Sequence, residues 1–208
     1  DATGKATLVG DGGILAEGNA TDGFVYAGAL VDDGALSDIW QADGIRYIVG
    51  DNSEIFTHAG AWENMETPTT QHLRSISGVA VDDVWAVGWA SVLLHWDGIA
   101  WEQFMPPMSG QIEAVYARAT DDVYAVGSGG AILHWNGTQW AILVSETTAT
   151  LRDIFVFPGG DKWAVGANAT IMRHNGLAWH QTPLPPKVYA DGSEELITDE
   201  LHAIWGAT

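Results

Sequence analysis

The chain repeats a segment of about 39 residues, and this period constrains the fold more than any other feature. The segment DDVWAVGWASVLLHWDGIAWEQ begins at Asp82 and returns as DDVYAVGSGGAILHWNGTQWAI from Asp121 and as GDKWAVGANATIMRHNGLAWHQ from Gly160. Weaker copies begin at Ala6 and Ile45. A Val-Gly step thereby recurs in every copy, at Gly10, Gly50, Gly88, Gly127 and Gly166. Five repeats account for nearly all 208 residues.

Each repeat has the pattern of a small antiparallel sheet, because its apolar residues alternate with period two and hairpin turn residues separate the runs. In the third repeat one strand runs from Val84 to Gly88, the next runs from Val92 to Trp96, and Asp97-Gly98 turns the chain into a last strand. Pairs of this kind favour type I′ hairpins. An apolar first strand precedes them and begins at Leu36, Leu73, Ile112, Leu151 and Leu201. The sequence therefore predicts four strands per repeat.

The copy that begins at Leu201 stands at the C-terminus without the strands that should follow it. Joining LHAIWGAT to ATLVGDGG, which begins at Ala6, regenerates one complete repeat. We therefore expect an all-β, five-bladed β-propeller of four-stranded antiparallel blades, with a ring closed by pairing of the N- and C-terminal strands. It would form a single domain over residues 1–208, with an insertion loop at about residues 180–200. An open stack of sheets would need polar capping repeats, and neither end has one.

The net charge and the absence of cysteine limit the classes of partner and of metal site that this chain could have. The 27 acidic and 8 basic residues give a net charge of −19, which disfavours nucleic acid and anionic membranes. With no cysteine, a metal would need histidine, carboxylate or carbonyl ligands. The chain begins at Asp1 and has no charged-then-apolar leader, so we interpret it as a processed, exported bacterial protein. We expect a monomer, extracellular or at the outer-membrane surface, with an unknown uptake partner.

Aligning the repeats separates shared positions from exceptions. Most aromatic residues share a position across repeats, so we interpret them as packing residues of the blades: Trp40, Trp62, Trp85, Trp101, Tyr116, Tyr124, Trp140, Phe155, Trp163, Trp179 and Trp205. His58, His95, His134 and His174 also fall at shared positions, where structural hydrogen bonds are expected.

Three residues depart from the pattern. His72 precedes a first strand, at a position that holds Ala35 or Gln111 in other repeats. Trp89 follows the Val-Gly step, where the others carry small or polar residues, and His202 is the second residue of the C-terminal first strand. In a propeller these positions lie at one mouth of the central channel. A large indole at that position has no packing reason that the sequence supplies.

Two imidazoles beside an exposed indole suggest a nitrogen-rich metal site, formed by His72, His202 and Trp89. Imidazole suits several transition metals, and a site with two nitrogen donors suits Cu(I) in particular. The alternative is that the two histidines are ordinary polar residues of the rim. The acidic run Asp191-Gly-Ser-Glu194-Glu195 could hold calcium, although it lacks the alternating Asp/Asn pattern of an EF-hand loop.

The chain resembles the copper-binding surface proteins of methanotrophic bacteria, of the MopE and CorA type, in size, acidity, lack of cysteine, expected export and AVG...LHW.G..W repeats. The resemblance implies a mononuclear Cu(I) held by two histidines and a kynurenine, a tryptophan with an oxidatively opened ring, and a role in copper acquisition. The family pattern places that tryptophan two residues before a ligand histidine, and no Trp-x-His occurs here. By position we assign Trp89 as the modified residue and His72 and His202 as ligands. His58, His174 and His180 are reserves.

Two other functions stay open. A carbohydrate- or protein-recognition propeller without metal could use Trp89 as a platform, although the rim positions differ in every repeat, unlike those of a multivalent lectin. An enzyme is the third hypothesis. No Ser/His/Asp set, phosphate loop or HExxH motif is present, so we expect no catalytic activity. The pair of carboxylates used by glycoside hydrolases has no fixed sequence signature, so the sequence does not exclude such a pair.

Overall fold

The structure is a computed structural model that describes residues 6–19 and 21–206. Nearly all its regular structure is β-strand. The chain forms two compact units, Asp1–Met105 and Pro106–Thr208. Among the described residues, no helix has the length and apolar character needed to cross a membrane.

The first unit contains three antiparallel sheets. The first sheet has the order β1-β2-β3, and the second and third have the orders β4-β5-β6-β7 and β11-β10-β9-β8. Their strands are β1 (Ala6–Val9), β2 (Ile14–Asn19), β3 (Gly23–Ala29), β4 (Leu36–Ala42), β5 (Ile45–Gly50), β6 (Ile55–His58), β7 (Trp62–Asn64), β8 (Leu73–Ala80), β9 (Asp83–Gly88), β10 (Leu93–Trp96) and β11 (Trp101–Gln103).

The second unit contains the fourth and fifth sheets, each with four strands in sequence order, and a short hairpin. The strands are β12 (Ile112–Ala119), β13 (Asp122–Gly127), β14 (Ile132–Trp135), β15 (Trp140–Leu143), β16 (Leu151–Val156), β17 (Lys162–Gly166), β18 (Ile171–His174), β19 (Trp179–Gln181), β20 (Lys187–Val188) and β21 (Glu194–Glu195). The four-stranded antiparallel repeat predicted from the sequence is confirmed in the second to fifth sheets. The hairpin β20–β21 lies in the predicted insertion.

The recurring glycine of the Val-Gly step ends the second strand of each four-stranded sheet. A Cβ added at Gly88 would lie 2.0 Å from the carbonyl oxygen of His72, and one added at Gly127 would lie 2.1 Å from that of Gln111. The backbone at Gly88 is extended, with φ of −176°, which any residue can adopt. Glycine is therefore required for space, because the carbonyl before the first strand packs directly against it.

The C-terminal first strand predicted at Leu201 has no strand assignment in residues 201–206, and residues 207–208 of that segment lie outside the described residues. A strand needs a ladder partner, and this segment is held by single contacts. The N–H of Leu201 donates to the carbonyl of Gly166 at 3.0 Å, and the N–H of Ile204 donates to Asp153 Oδ2 at 2.8 Å.

The same two contacts hold first strands elsewhere. The N–H of Leu36 donates to the Gly10 carbonyl at 3.1 Å, and the N–H of Ile76 donates to Asp38 Oδ2 at 2.9 Å. In the second and third sheets, these contacts join a first strand to the preceding sheet in the chain. The segment that begins at Leu201 therefore packs against the fifth sheet in the same way.

The core of each unit is built from the inward faces of its sheets, and the aromatic packing positions fill it. Trp85 is 1% exposed, Trp101 5% and Trp179 2%, as expected for residues at repeated positions. Trp205 differs, since it is 82% exposed. It belongs to the C-terminal segment, in which the described residues 201–206 carry no strand assignment.

Candidate functional site

Trp89 begins a tight turn, Trp89–Ser91, directly after β9. In the second sheet the equivalent residue is Asp51, whose Oδ2 accepts the N–H of Ala35 at 3.0 Å. In the fourth sheet the equivalent Ser128 Oγ accepts the N–H of Gln111 at 3.2 Å. At this position the side chain thus contacts the residue that precedes its own first strand.

In the third sheet that contact is made by two rings. The ring centroids of His72 and Trp89 lie 4.6 Å apart, and the ring planes are inclined by 56°. The backbone N–H of Trp89 donates to the backbone carbonyl of His72 at 3.0 Å. The indole remains 38% exposed. The pairing supplies the packing reason for Trp89 that sequence comparison did not provide.

A carboxylate orients His72. Its Nδ1 lies 2.8 Å from Asp51 Oδ1, while the Asn52 N–H reaches the same nitrogen at 3.4 Å. One nitrogen cannot donate to the carboxylate and accept from an amide together, and the shorter contact assigns the proton to Nδ1. Nε2 then carries the lone pair. Both side chains are about one-third exposed, at 33% and 29%.

Histidine held by a carboxylate through one nitrogen, with the other free as a ligand, is the usual arrangement around protein-bound metals. His72 fits this arrangement. Asp51 was missed in the sequence, where it counted only as an ordinary member of the Trp89 position. The sequence did offer one signal for this contact. Asp51 is a charged residue in the repeat that directly precedes His72, and His72 is the only histidine that stands immediately before a first strand.

His72 and Trp89 belong to the first compact unit, whereas His202 belongs to the second. Its side chain is 76% exposed and Nε2 lies 3.9 Å from Glu200 Oε2. The structure therefore brings His72 and Trp89 together within the first unit and places His202 as an accessible imidazole of the second. Across residues 6–19 and 21–206, no group of three or more His, Asp or Glu side chains is arranged to hold a metal. The predicted site has only two histidines as ligands, so it would not form a group of that size.

The repeated histidines have structural partners, which confirms the expectation. His95 Nε2 lies 2.9 Å from Asp83 Oδ1, and His134 Nε2 lies 2.8 Å from Asp122 Oδ1. Their rings pack at 4.3 Å on Trp85 and 4.5 Å on Tyr124. Each ring thus hydrogen-bonds and packs within its own sheet.

The reserve histidines also have local contacts. His58 Nδ1 lies 3.2 Å from Arg46 Nη2, His174 Nδ1 accepts the N–H of Gly176 at 3.1 Å, and His180 Nδ1 lies 3.2 Å from Glu146 Oε1. Burial, with Lys162 and His180 nearby, lowers the pKa of His174. A neutral imidazole at His174 serves the turn that leads into β19.

The acidic run proposed for calcium forms the turn of the β20–β21 hairpin. Asp191 Oδ1 accepts both the N–H and the Oγ–H of Ser193, at 2.9 and 2.6 Å. These bonds lower the pKa of the exposed Asp191 carboxyl. Its oxygen is thus engaged in a turn of the kind Asp commonly forms.

No protein family model matches the sequence, and no curated protein matches it. Solved structures are similar in fold. The WD40 β-propeller domain of Doa1 aligns with a TM-score of 0.76 at 11% identity, over 95% of this chain and 73% of that one. Virginiamycin B lyase from Staphylococcus aureus aligns with a TM-score of 0.74 at 11% identity, over 84% of this chain and 64% of that one.

YCF48 bound to D1 peptide aligns with a TM-score of 0.59 at 20% identity, over 80% of this chain. The match spans 62% of the length of that YCF48 chain. At these identities the likeness concerns the fold alone. The chain is an all-β protein of the β-propeller type, as the repeat predicted.

Proposed function

We propose that this chain is a non-enzymatic, five-bladed β-propeller of the bacterial cell surface that binds copper(I) and takes part in copper acquisition. The ring would be completed by residues 201–206 and β1, which together supply the missing first strand of the first sheet. Support for the closure comes from Leu201 and Ile204, whose contacts repeat those of first strands in other sheets.

The observation that carries the copper proposal is the pairing of His72 with Asp51 and Trp89. The carboxylate holds the ring through Nδ1, which leaves Nε2 of His72 as the nitrogen that would bind the metal. His202 would supply the second imidazole. Trp89 would supply an aromatic amine after oxidative ring opening by dioxygen, which together with one water releases the ring carbon C2 as formate, since an intact indole N–H is a donor only. Imidazole nitrogen suits copper among other metals, a site with only two or three donors suits the low coordination number of Cu(I), and a net charge of −19 attracts cations to the surface.

The test is Cu(I) binding by equilibrium dialysis against a competing chelator. Single His72→Ala and His202→Ala variants should each weaken binding, and the double variant should abolish stoichiometric binding. His180→Ala separates the assigned ligands from the reserve ligand His180, which is also exposed and also faces a glutamate, and it should leave binding unchanged. Equally tight binding by the double variant and the wild type would refute the ligand assignment.

The second proposal is a recognition propeller without metal, in which Trp89 is a platform for a sugar or a protein segment. The 38% exposure of its indole beside a carboxylate and an imidazole favours it. YCF48, which is similar in fold, is bound to a peptide in its solved structure. Ligand capture that survives copper chelation and is lost in Trp89→Ala would support this function over copper binding.

A further inference from the structure

A groove of about 650 Å³ lies in the first unit, between the end of the second sheet and the last hairpin of the third. It is independent of the proposed copper site. Residues from β7 and the chain after it form one wall, and the β10–β11 hairpin forms the other. Its principal side chains are Glu63, Met65, Glu66, Trp96, Ile99 and Trp101.

The groove has an apolar interior. Trp101 is 5% exposed and gives a fixed aromatic surface, with Met65 and Trp96 half-buried beside it. Ile99 is 85% exposed, although the Asp97 carboxylate holds its N–H at 2.8 Å and fixes the turn that presents it. A large aliphatic side chain in a rigid, exposed position beside aromatic residues is typical of a recognition surface.

The wall of the groove is acidic. Glu63 and Glu66 are exposed, and no cation pairs with either within the part of the chain that the structure describes. No lysine or arginine lines the groove. The equivalents of these two residues are Glu102 and Met105 in the third sheet, Ala141 and Val144 in the fourth, and His180 and Pro183 in the fifth, so of these four sheets only the second has both carboxylates. The charge therefore favours a cationic occupant.

The groove also lies at a free strand edge, since β7 is the last strand of its sheet. Asn64 pairs with Phe56, and the next amide, that of Met65, donates to the Ile55 carbonyl at 2.8 Å. Because backbone groups alternate sides along a strand, the N–H and C=O of Asn64 point away from β6. An extended peptide can add to such an edge through its main chain.

We propose that this groove binds an extended segment of a partner protein in which basic side chains flank an aromatic or large aliphatic one. The apolar side chain lies against Trp101, Trp96 and Ile99, and the basic side chains pair with Glu63 and Glu66. The main chain of the segment bonds to the free edge at Asn64. Basic residues two positions either side of the apolar one share its face of an extended chain, and so enter the groove together with it.

The test uses a fluorescein-labelled, acetylated and amidated peptide with the sequence Lys-Thr-Phe-Thr-Lys and the whole protein. Fluorescence anisotropy should show saturable binding. The double variant Glu63→Gln, Glu66→Gln should weaken binding by about tenfold, the effect of losing two partly exposed ion pairs. Ile99→Ser should also weaken it, and this residue is too exposed for the change to unfold the protein.

Matched controls separate the groove from general attraction to an acidic protein. Glu102→Gln neutralises the carboxylate that is equivalent to Glu63 in the third sheet and should leave binding unchanged. Peptides with glutamate for lysine or serine for phenylalanine should bind weakly. Hydrogen exchange at the Asn64 amide should slow when the probe is bound. Equal loss in Glu102→Gln and the double variant, absence of probe binding by the wild type, or an unprotected Asn64 amide would overturn the proposal.

Discussion

The imidazole of His72 lies 4.6 Å from the indole of Trp89, although 17 positions separate the two residues in the sequence. The pair joins the start of β8 to the end of β9, at the point where a polar side chain caps the first strand in other sheets. The ring pair that replaces the cap stays partly exposed, at 33% for the His72 side chain and 38% for Trp89. The site is thus a local variation on a contact that the repeat already provides.

Asp51 should affect Cu(I) affinity without touching the ion. In Asp51→Asn the Nδ1 of His72 loses its charged acceptor, so the ring is less well oriented and its other nitrogen is a weaker ligand. Loss of such a partner lowers metal affinity by about 10- to 100-fold. Competition dialysis checks this. Ser128→Ala, which removes the equivalent cap in the fourth sheet, should leave affinity unchanged. An unaltered affinity in Asp51→Asn would show that the carboxylate serves only the backbone of Ala35.

Gly88→Ala should destabilise the protein by about 1–3 kcal/mol, the usual range for overpacking, because the new Cβ meets the His72 carbonyl at 2.0 Å. Gly159→Ala is the matched control. A Cβ there has no atom within 4 Å, so the change should stay within about 0.5 kcal/mol of wild type. Denaturant unfolding measures both variants. Equal stabilities would mean that the Val-Gly step has another cause.

Ring closure can be read from hydrogen exchange in β1. The Gly10 N–H donates to the Ile14 carbonyl, so the amides of Leu8 and Gly10 face β2 and those of Thr7 and Val9 face the other side. If residues 201–206 pair with β1, the amides of Thr7 and Val9 should exchange as slowly as that of Leu8. Fast exchange at Thr7 and Val9 beside a protected Leu8 would show an open edge.

Asp153 should make stability fall with rising pH. Burial raises the pKa of this carboxyl, and the N–H groups of Ile204 and Ile154 offset part of that effect. The folded state therefore holds the proton to higher pH than the unfolded state, whose Asp pKa is about 3.9. Stability from this group is present below about pH 4 and is lost as pH rises through the folded pKa.

Thermal unfolding across this pH range checks the effect through Asp153→Asn, which removes the titration. The advantage of wild type over the variant should shrink as pH rises. Asp191 provides a control of opposite sign, because its pKa is lowered and its contribution is lost as pH falls. A difference between wild type and Asp153→Asn that stays constant or grows with pH would contradict the account.

Much of the fold was predictable from the sequence because the repeat aligns turns and strands independently of tertiary detail. The Asp97-Gly98 turn and the Val-Gly step placed strand ends correctly. Position in the repeat also identified Trp89 and His72 as exceptions and placed them beside each other, but it did not reveal the contact between His72 and Asp51. Asp51 and His72 come from different repeats, so a comparison of equivalent positions does not pair them.

The C-terminal segment was harder to predict for a related reason. Its apolar pattern matches first strands, but strand formation depends on a partner that the pattern does not contain. The groove at Glu63 and Glu66 was missed because both residues look like ordinary acidic surface positions until β7 is known to be a sheet edge.

The central claim is tested most directly by intact-protein mass spectrometry of natively produced protein, under native and denaturing conditions. The account predicts one copper per chain in the native spectrum. It also predicts that a peptide containing Trp89 has exchanged one carbon for one oxygen, as opening of the indole ring requires. An unmodified mass with no bound metal would contradict the copper function and would favour recognition by an intact Trp89.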